Sequence, residues 1–292
     1  VLDYHLHLWE HDSQDTWLTI DQIAEYCEKA NAEGVEELAI TEHLHRFRQA
    51  ADVVGEFWMT TERNPELQHA IAGYFDYHAR SDLDAYVELA MEAKRQGLPV
   101  KIGMEVDYYR GQMDDVSALL AQYPFDVLIG SVHWIGGWQF DFYEHPVHLA
   151  EWEHRDVDAA WDAYTEAIEE LSATGAVDVL AHPDLIKVNG AVPENPVEWW
   201  DRLAEAAASS GIAAELSSAG WRKPIGEQYP SIPLLNRFVA AGVPMTTASD
   251  AHSVARVGER SRDLRTLIEA AGVSTLASFD GRIRTDVPVE GS

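Results

Sequence analysis

Asp126-Val-Leu-Ile-Gly-Ser-Val-His133 is an apolar run that ends on an imidazole. Short apolar or β-branched runs bounded by turn residues read as strands. Asp126–Val132 is the fourth of seven such runs, the others being Leu2–His7, Glu37–Thr41, Pro99–Glu105, Val177–Ala181, Ile212–Leu216 and Val243–Ala248. Helical spacing fills the intervals, as in Ile20, Ile23, Ala24, Cys27 and Ala30, or Trp161, Tyr164, Ile168 and Leu171. Ser81-Asp-Leu-Asp84 reads as a capping box that opens another helix. Gly34, Gly97, Gly175, Gly211 and Gly242 stand where helices should stop before the next strand.

Strict alternation of strand and helix predicts an α/β fold with a mostly parallel sheet, closed as a barrel or left open. No linker, repeat or low-complexity tract divides the chain, so residues 1–292 are expected to form one domain. Two excursions, about 44–80 and 134–156, each follow a strand end and should lie over the same mouth.

Polar side chains gather at the ends of these runs. His5 and His7 close the first, His43 follows the second, Glu105 ends the third, His133 follows the fourth, His182 the fifth, and Asp250 and His252 the seventh. In a parallel barrel the C-terminal strand ends share one face, so residues scattered along the chain meet there. Residues two apart on extended backbone point to the same side, which pairs His5 with His7 and Asp250 with His252. Burying so many imidazoles and carboxylates without a cation would carry a heavy desolvation cost, and a multinuclear metal site is the expectation. His11 and Asp12, just past the first run, are the two choices for a further ligand, with His11 preferred. Cys27 is the only cysteine, so the ions must be held by His, Asp and Glu, a donor set that suits zinc, manganese or iron. His45, His69, His78, His145, His148 and His154 fall in or beside the excursions and read as surface or substrate-contacting residues.

Composition narrows the partners. The 292 residues hold 21 Lys+Arg against 50 Asp+Glu, a formal charge of −29, with the basic residues scattered. Nucleic acid and membrane surfaces are both disfavoured by that balance. No apolar stretch approaches the roughly 18 to 20 residues of a membrane span, and Val1–Asp12 lacks the regions of a signal peptide, so a cytoplasmic location is expected. The oligomeric state is not legible.

Asp-Tyr-His-Leu-His, Thr-Glu-His, Gly-Met-Glu-Val-Asp-Tyr, Gly-Ser-Val-His, Ala-His-Pro-Asp and Ser-Asp-Ala-His follow one another from residue 3 to 252. In this order they resemble the PHP (polymerase and histidinol phosphatase) superfamily of metal-dependent phosphoesterases. Residues 215 to 231, Glu-Leu-Ser-Ser-Ala-Gly-Trp-Arg-Lys-Pro-Ile-Gly-Glu-Gln-Tyr-Pro-Ser, resemble its histidinol-phosphatase branch. The resemblance implies a distorted (β/α)7 TIM-like barrel with three divalent ions at its C-terminal face. It assigns His5, His7, Glu105 and Asp250 to one ion, Glu105, His133 and His182 to a second, and His43, His252 and the first-loop residue to the third. The family's first-loop ligand stands further beyond the HxH pair than His11 does, which implies a shortened loop here.

The expected activity is hydrolysis of a small phosphomonoester, L-histidinol phosphate first among them, by attack of a metal-bridging hydroxide, with Glu105, Asp250 and His252 at the reacting centre. A PHP-type nuclease or nucleotide phosphatase is the rival enzyme, and a non-catalytic barrel that binds phosphorylated metabolites is the rival without chemistry. Arg222 and Lys223 are expected to hold the phosphate, with Arg46, Arg48 and Arg256 behind them. Asp184 and Glu42 are candidates to orient ligands or to protonate the leaving alkoxide. Trp9, Trp134, Trp138 and Trp221 are expected to wall the pocket, and Asp107, Asp141 and Glu215 to make its mouth acidic.

Overall fold

The computed structural model describes residues 1–11, 13, 18–142 and 145–289. Seven parallel strands form the centre: Leu2–Asp3, Glu37–Ile40, Val100–Asp107, Val127–Ser131, Val179–Leu180, Ala213–Ser217 and Met245–Ala248. They lie side by side in chain order. The sheet turns back on itself, because Tyr4 N–H donates to Thr247 O at 3.1 Å and Asp250 N–H to His5 O at 2.8 Å. The result is a nearly closed barrel with helices outside, the closed one of the two forms the alternation allows and the form the family resemblance implies. Val127, Ile129, Leu180 and Leu216 are essentially inaccessible, and burial of each such side chain is worth about 1.5–3 kcal/mol.

All seven expected strands are present, but their ends differ. The first is regular only over Leu2–Asp3. Beyond it the Asp3 carboxylate accepts from Ser249 N–H at 2.7 Å, and Leu6 pairs with Ala251 as an isolated bridge, so the ladder is replaced by individual bonds. The helix Leu83–Arg95 is capped by Asp82, which accepts from Asp84 N–H and Ala85 N–H, and Ser81 is not the cap. Ser81 is instead held in a bridge with Phe47, its N–H on Arg46 O at 2.9 Å. Gly211 ends the helix Val197–Ser210 at φ +72°, a left-handed conformation that a side chain resists.

The first excursion holds the helices Arg48–Val54 and Pro65–His78, and the second holds the small hairpin Trp134–Ile135/Trp138–Gln139 and the helix Pro146–His154. Helices Pro65–His78 and Pro146–His154 pack against each other. A second hairpin, Thr275–Asp280/Ile283–Pro288, covers the opposite end of the barrel, where Arg282 meets Asp178 at 3.0 Å. Among the described residues no helix is long and apolar enough to cross a membrane.

Candidate metal centre

Backbone ties between neighbouring strand ends aim the side chains. Leu6 is clasped by Thr41, whose hydroxyl accepts from Leu6 N–H at 3.1 Å and whose N–H donates to Leu6 O at 2.8 Å. Leu6 is buried in the core, and His5 and His7 on either side of it turn to each other. His43 bridges to Glu105, and Glu105 N–H donates to Glu42 O at 2.9 Å. His182 and Asp250 sit at φ +27° and +51°, where non-glycine residues are uncommon, and such strain collects at functional sites. Asp250 is therefore not on extended backbone as expected, although its carboxylate still lies 3.6 Å from the ring of His252.

The side chains converge on Glu105. Its Oε2 lies 3.4 Å from Nε2 of both His5 and His7 and 2.6 Å from His43 Nδ1. Its Oε1 lies 3.3 Å from His182 Nε2 and 3.7 Å from His133 Nε2. Asp250 Oδ1 is 3.6 Å from His5 Nε2 and from His7 Nε2. Each carboxylate oxygen of Glu105 thus faces its own set of imidazoles. Three-residue sets whose donor atoms all lie within 4.8 Å of one another are His5/Glu105/His182, His5/His7/Asp250, His7/His43/His252 and His43/His45/Asp107.

The electrostatics fit cations. Burial alone would lower the pKa of His5, yet Glu215, Glu105 and Asp250 hold it well above the usual range. Burial acts the same way on His133, and Asp107, Glu105 and Asp141 lift it to about 10. Glu105 is held well below the carboxylate range by His43, His5 and His133 against the effect of burial. The nitrogens His5 Nε2 and His7 Nε2 face each other at 3.1 Å. His7 Nδ1 and His252 Nε2 lack hydrogen-bond partners. Converging donors of this kind are satisfied by a shared cation.

A second layer of carboxylates fixes the rings. Asp107 Oδ1 lies 2.5 Å from His133 Nδ1, and Glu215 Oε2 lies 3.1 Å from His5 Nδ1, in each case leaving Nε2 for the centre. Glu215 also accepts from His182 N–H at 2.8 Å. Both carboxylates are wholly buried, so neither forms part of a pocket mouth as expected. Glu42 accepts from Leu8 N–H and Trp9 N–H, and Asp184 accepts from Ser231 N–H while pairing with Lys187 at 3.0 Å. Both secure loops, and Glu42 Oε2 also lies 3.7 Å from Nδ1 of His7, the side of that ring turned away from the centre.

Several expected anion contacts move. Arg46 is buried and donates to Glu10 O at 3.0 Å and His11 O at 3.2 Å, bracing the first loop. Arg48 is exposed and pairs with Asp82. Arg222 borders the site, but its Nη2 donates to Ser249 O and Asp250 O at 2.9 and 2.8 Å and its Nη1 to Glu259, so it clamps the backbone of Asp250. Lys223 and Arg256 line the basin beside Asp250 and His252. The His11 ring stacks on His252 at 3.8 Å and belongs to none of the three-residue sets. Asp12 lies outside the described residues. His45, read as a surface or substrate residue, is buried with its Nδ1 3.5 Å from Asp107. Its i, i+2 spacing from His43, the same as His5 to His7, was the signal available for it.

A cavity of about 550 Å³ adjoins this basin, sharing His11 and Lys223 with it. Tyr74, Tyr77 and Phe142 supply its aromatic wall. The expected tryptophans do not. Trp9, Trp134 and Trp138 are buried in the core, and Trp221 lies under the guanidinium of Arg260 at 3.8 Å.

The chain is thus a parallel α/β barrel whose C-terminal strand ends carry a buried His/Asp/Glu cluster with the donor set that could hold metal ions. The model of the PHP domain family matches residues 3–219, and the chain belongs to that family. It is 35% identical over 179 residues to the probable histidinol-phosphatase of Deinococcus radiodurans, covering 61% of this chain and 67% of that protein. It is 26% identical over 290 residues to the histidinol-phosphatase of Lactococcus lactis, covering 96% and 94%. The crystal structure of histidinol phosphate phosphatase from Lactococcus lactis, complexed with zinc, L-histidinol and phosphate, superposes with a TM-score of 0.66 at 22% identity over 97% of this chain and 98% of that one, which shows the shared fold.

Proposed function

We propose that the chain is a metal-dependent phosphomonoesterase that hydrolyses L-histidinol phosphate to L-histidinol and phosphate. The observation that carries this reading is the position of Glu105, with one oxygen toward His5 and His7 and the other toward His133 and His182, beside a basin lined by Lys223 and Arg256. The relatives named histidinol-phosphatase support the substrate.

His5, His7, Glu105 and Asp250 would hold one ion, Glu105, His133 and His182 a second, and His43 and His252 a third with a first-loop residue, for which His11 is the described candidate. Zinc, manganese or iron in these positions would supply a water ionised near neutral pH and positive charge against the phosphoryl oxygens. The chain's own residues do the rest. Asp107 and Glu215 keep the Nδ1 atoms of His133 and His5 occupied, so that Nε2 of each stays turned inward. Lys223 and Arg256 draw the phosphate dianion to the basin. Arg222 and Arg46 hold the Asp250 backbone and the first loop in place. The adjoining cavity takes the alcohol portion and shields the ester from bulk water.

A polynucleotide needs a cationic track, and few cations border the basin in a chain of charge −29. Histidinol phosphate, a nucleoside monophosphate and a short oligonucleotide, each offered with and without chelator, test the reading. Chelator-sensitive turnover with histidinol phosphate preferred is the expected result. Preference for either nucleotide substrate, or no turnover of any phosphomonoester after metal loading, would overturn it.

A further inference from the structure

The cavity beside the basin has an uneven chemistry. Its wall is Tyr74 and Tyr77 from the helix Pro65–His78, with Phe142, Asp141 and His145 opposite. Of the three carboxylates expected at the mouth, Asp107 and Glu215 are spent on His133 and His5, which leaves Asp141. Asp141 Oδ1 has no hydrogen-bond partner. Asp141 lines the cavity together with His11 and Lys223, which also border the basin, and burial raises its pKa against the pull of His133, Lys223 and His182. His148, also on the wall, accepts from Gln139 N–H at Nδ1, 3.1 Å away, and so contributes no positive charge in this bond.

We propose that Asp141 is a specificity-determining residue, selecting phosphomonoesters whose alcohol carries an ammonium on the carbon next to the ester carbon and a flat ring beyond it. This rests on the phosphatase reading above. An ester oxygen held at the ions would put the neighbouring carbon toward the side of the basin that shares His11 and Lys223 with the cavity. The ring then extends among Tyr74, Tyr77 and Phe142, where π faces also favour a cationic guest. A carboxylate in a partly dry pocket pairs with a matching ammonium and is left unpaired by a neutral analogue, which makes for steep discrimination.

Calorimetric binding of L-histidinol and of its desamino analogue, 3-(imidazol-4-yl)propan-1-ol, to the metal-loaded protein tests this without turnover. The wild-type chain should bind L-histidinol at least about tenfold more tightly, the factor expected for one charged hydrogen bond. Asp141→Asn should abolish that preference, leaving affinity for the desamino compound within about threefold and metal content unchanged. Equal binding of the two compounds by the wild type would overturn the proposal even if the variant failed to fold. A variant that lost both ligands alike, or lost metal, would overturn it too. Failure to hydrolyse any phosphomonoester is a separate result, which would overturn the phosphatase reading and not the binding preference.

Discussion

Asp107 and His133 form a buried carboxylate–imidazole pair with Oδ1 2.5 Å from Nδ1, and the same carboxylate reaches His45 at 3.5 Å. Tyr109 and Ser131 hydroxyls donate to it at 3.4 and 3.3 Å, so its orientation is set from four sides. Asp107→Asn keeps an acceptor but removes the charge. We expect metal affinity to fall by about 10- to 100-fold, the usual cost of losing such a partner, with little change in fold. Chelator competition followed by circular dichroism measures both, and unchanged affinity would show that the pair is only structural.

Arg222 was expected to grip phosphate, whereas its guanidinium holds the carbonyls of Ser249 and Asp250. Arg222→Lys keeps the charge and cannot reproduce this double grip. Metal retention should drop by about tenfold, the cost of roughly one charged hydrogen bond, while inhibition by inorganic phosphate stays within about threefold. The reverse pattern would return Arg222 to the substrate.

His148 gives the protein a pH-dependent stability. Burial, reinforced by neighbouring His145, lowers its pKa to about 4. An unfolded histidine titrates near about 6.5. Below that pH the unfolded chain takes up a proton that the folded chain refuses, so the contribution is complete above pH 6.5 and is lost as pH falls toward 4. His148→Asn retains an acceptor for Gln139 N–H but does not titrate. Urea midpoints at pH 7 and pH 5 should therefore differ less in the variant than in the wild type, and an equal difference in both would remove His148 from the account.

What could be read from the chain alone follows a physical line. Strand ends in a parallel barrel must converge, so His5, His43, Glu105, His133 and His182 were recognisable as one cluster from their positions. Partner choice for long side chains is decided by contacts between distant segments. Arg46 meets the backbone of residue 11, 35 positions away, and Arg222 meets residue 250, 28 positions away, and no local pattern encodes either bond. The same holds for the pocket wall. Trp9, Trp134 and Trp138, beside strand ends, went into the core, while Tyr74 and Tyr77 arrived on a helix from the first excursion. His45 was legible by its spacing from His43, but its place at the start of the first excursion pointed instead to a surface or substrate-contacting role.

Glu105 is the residue on which the account turns, since its two oxygens serve two sets of imidazoles. The direct measurement is elemental analysis of the purified chain after saturation with Mn²⁺ or Zn²⁺ and removal of free ion, on the wild type and on Glu105→Gln. Between two and three ions per wild-type chain and at least one fewer in the variant are predicted. A wild-type content near zero that resists reconstitution, or a variant that retains the full complement, would contradict a shared metal centre built on Glu105.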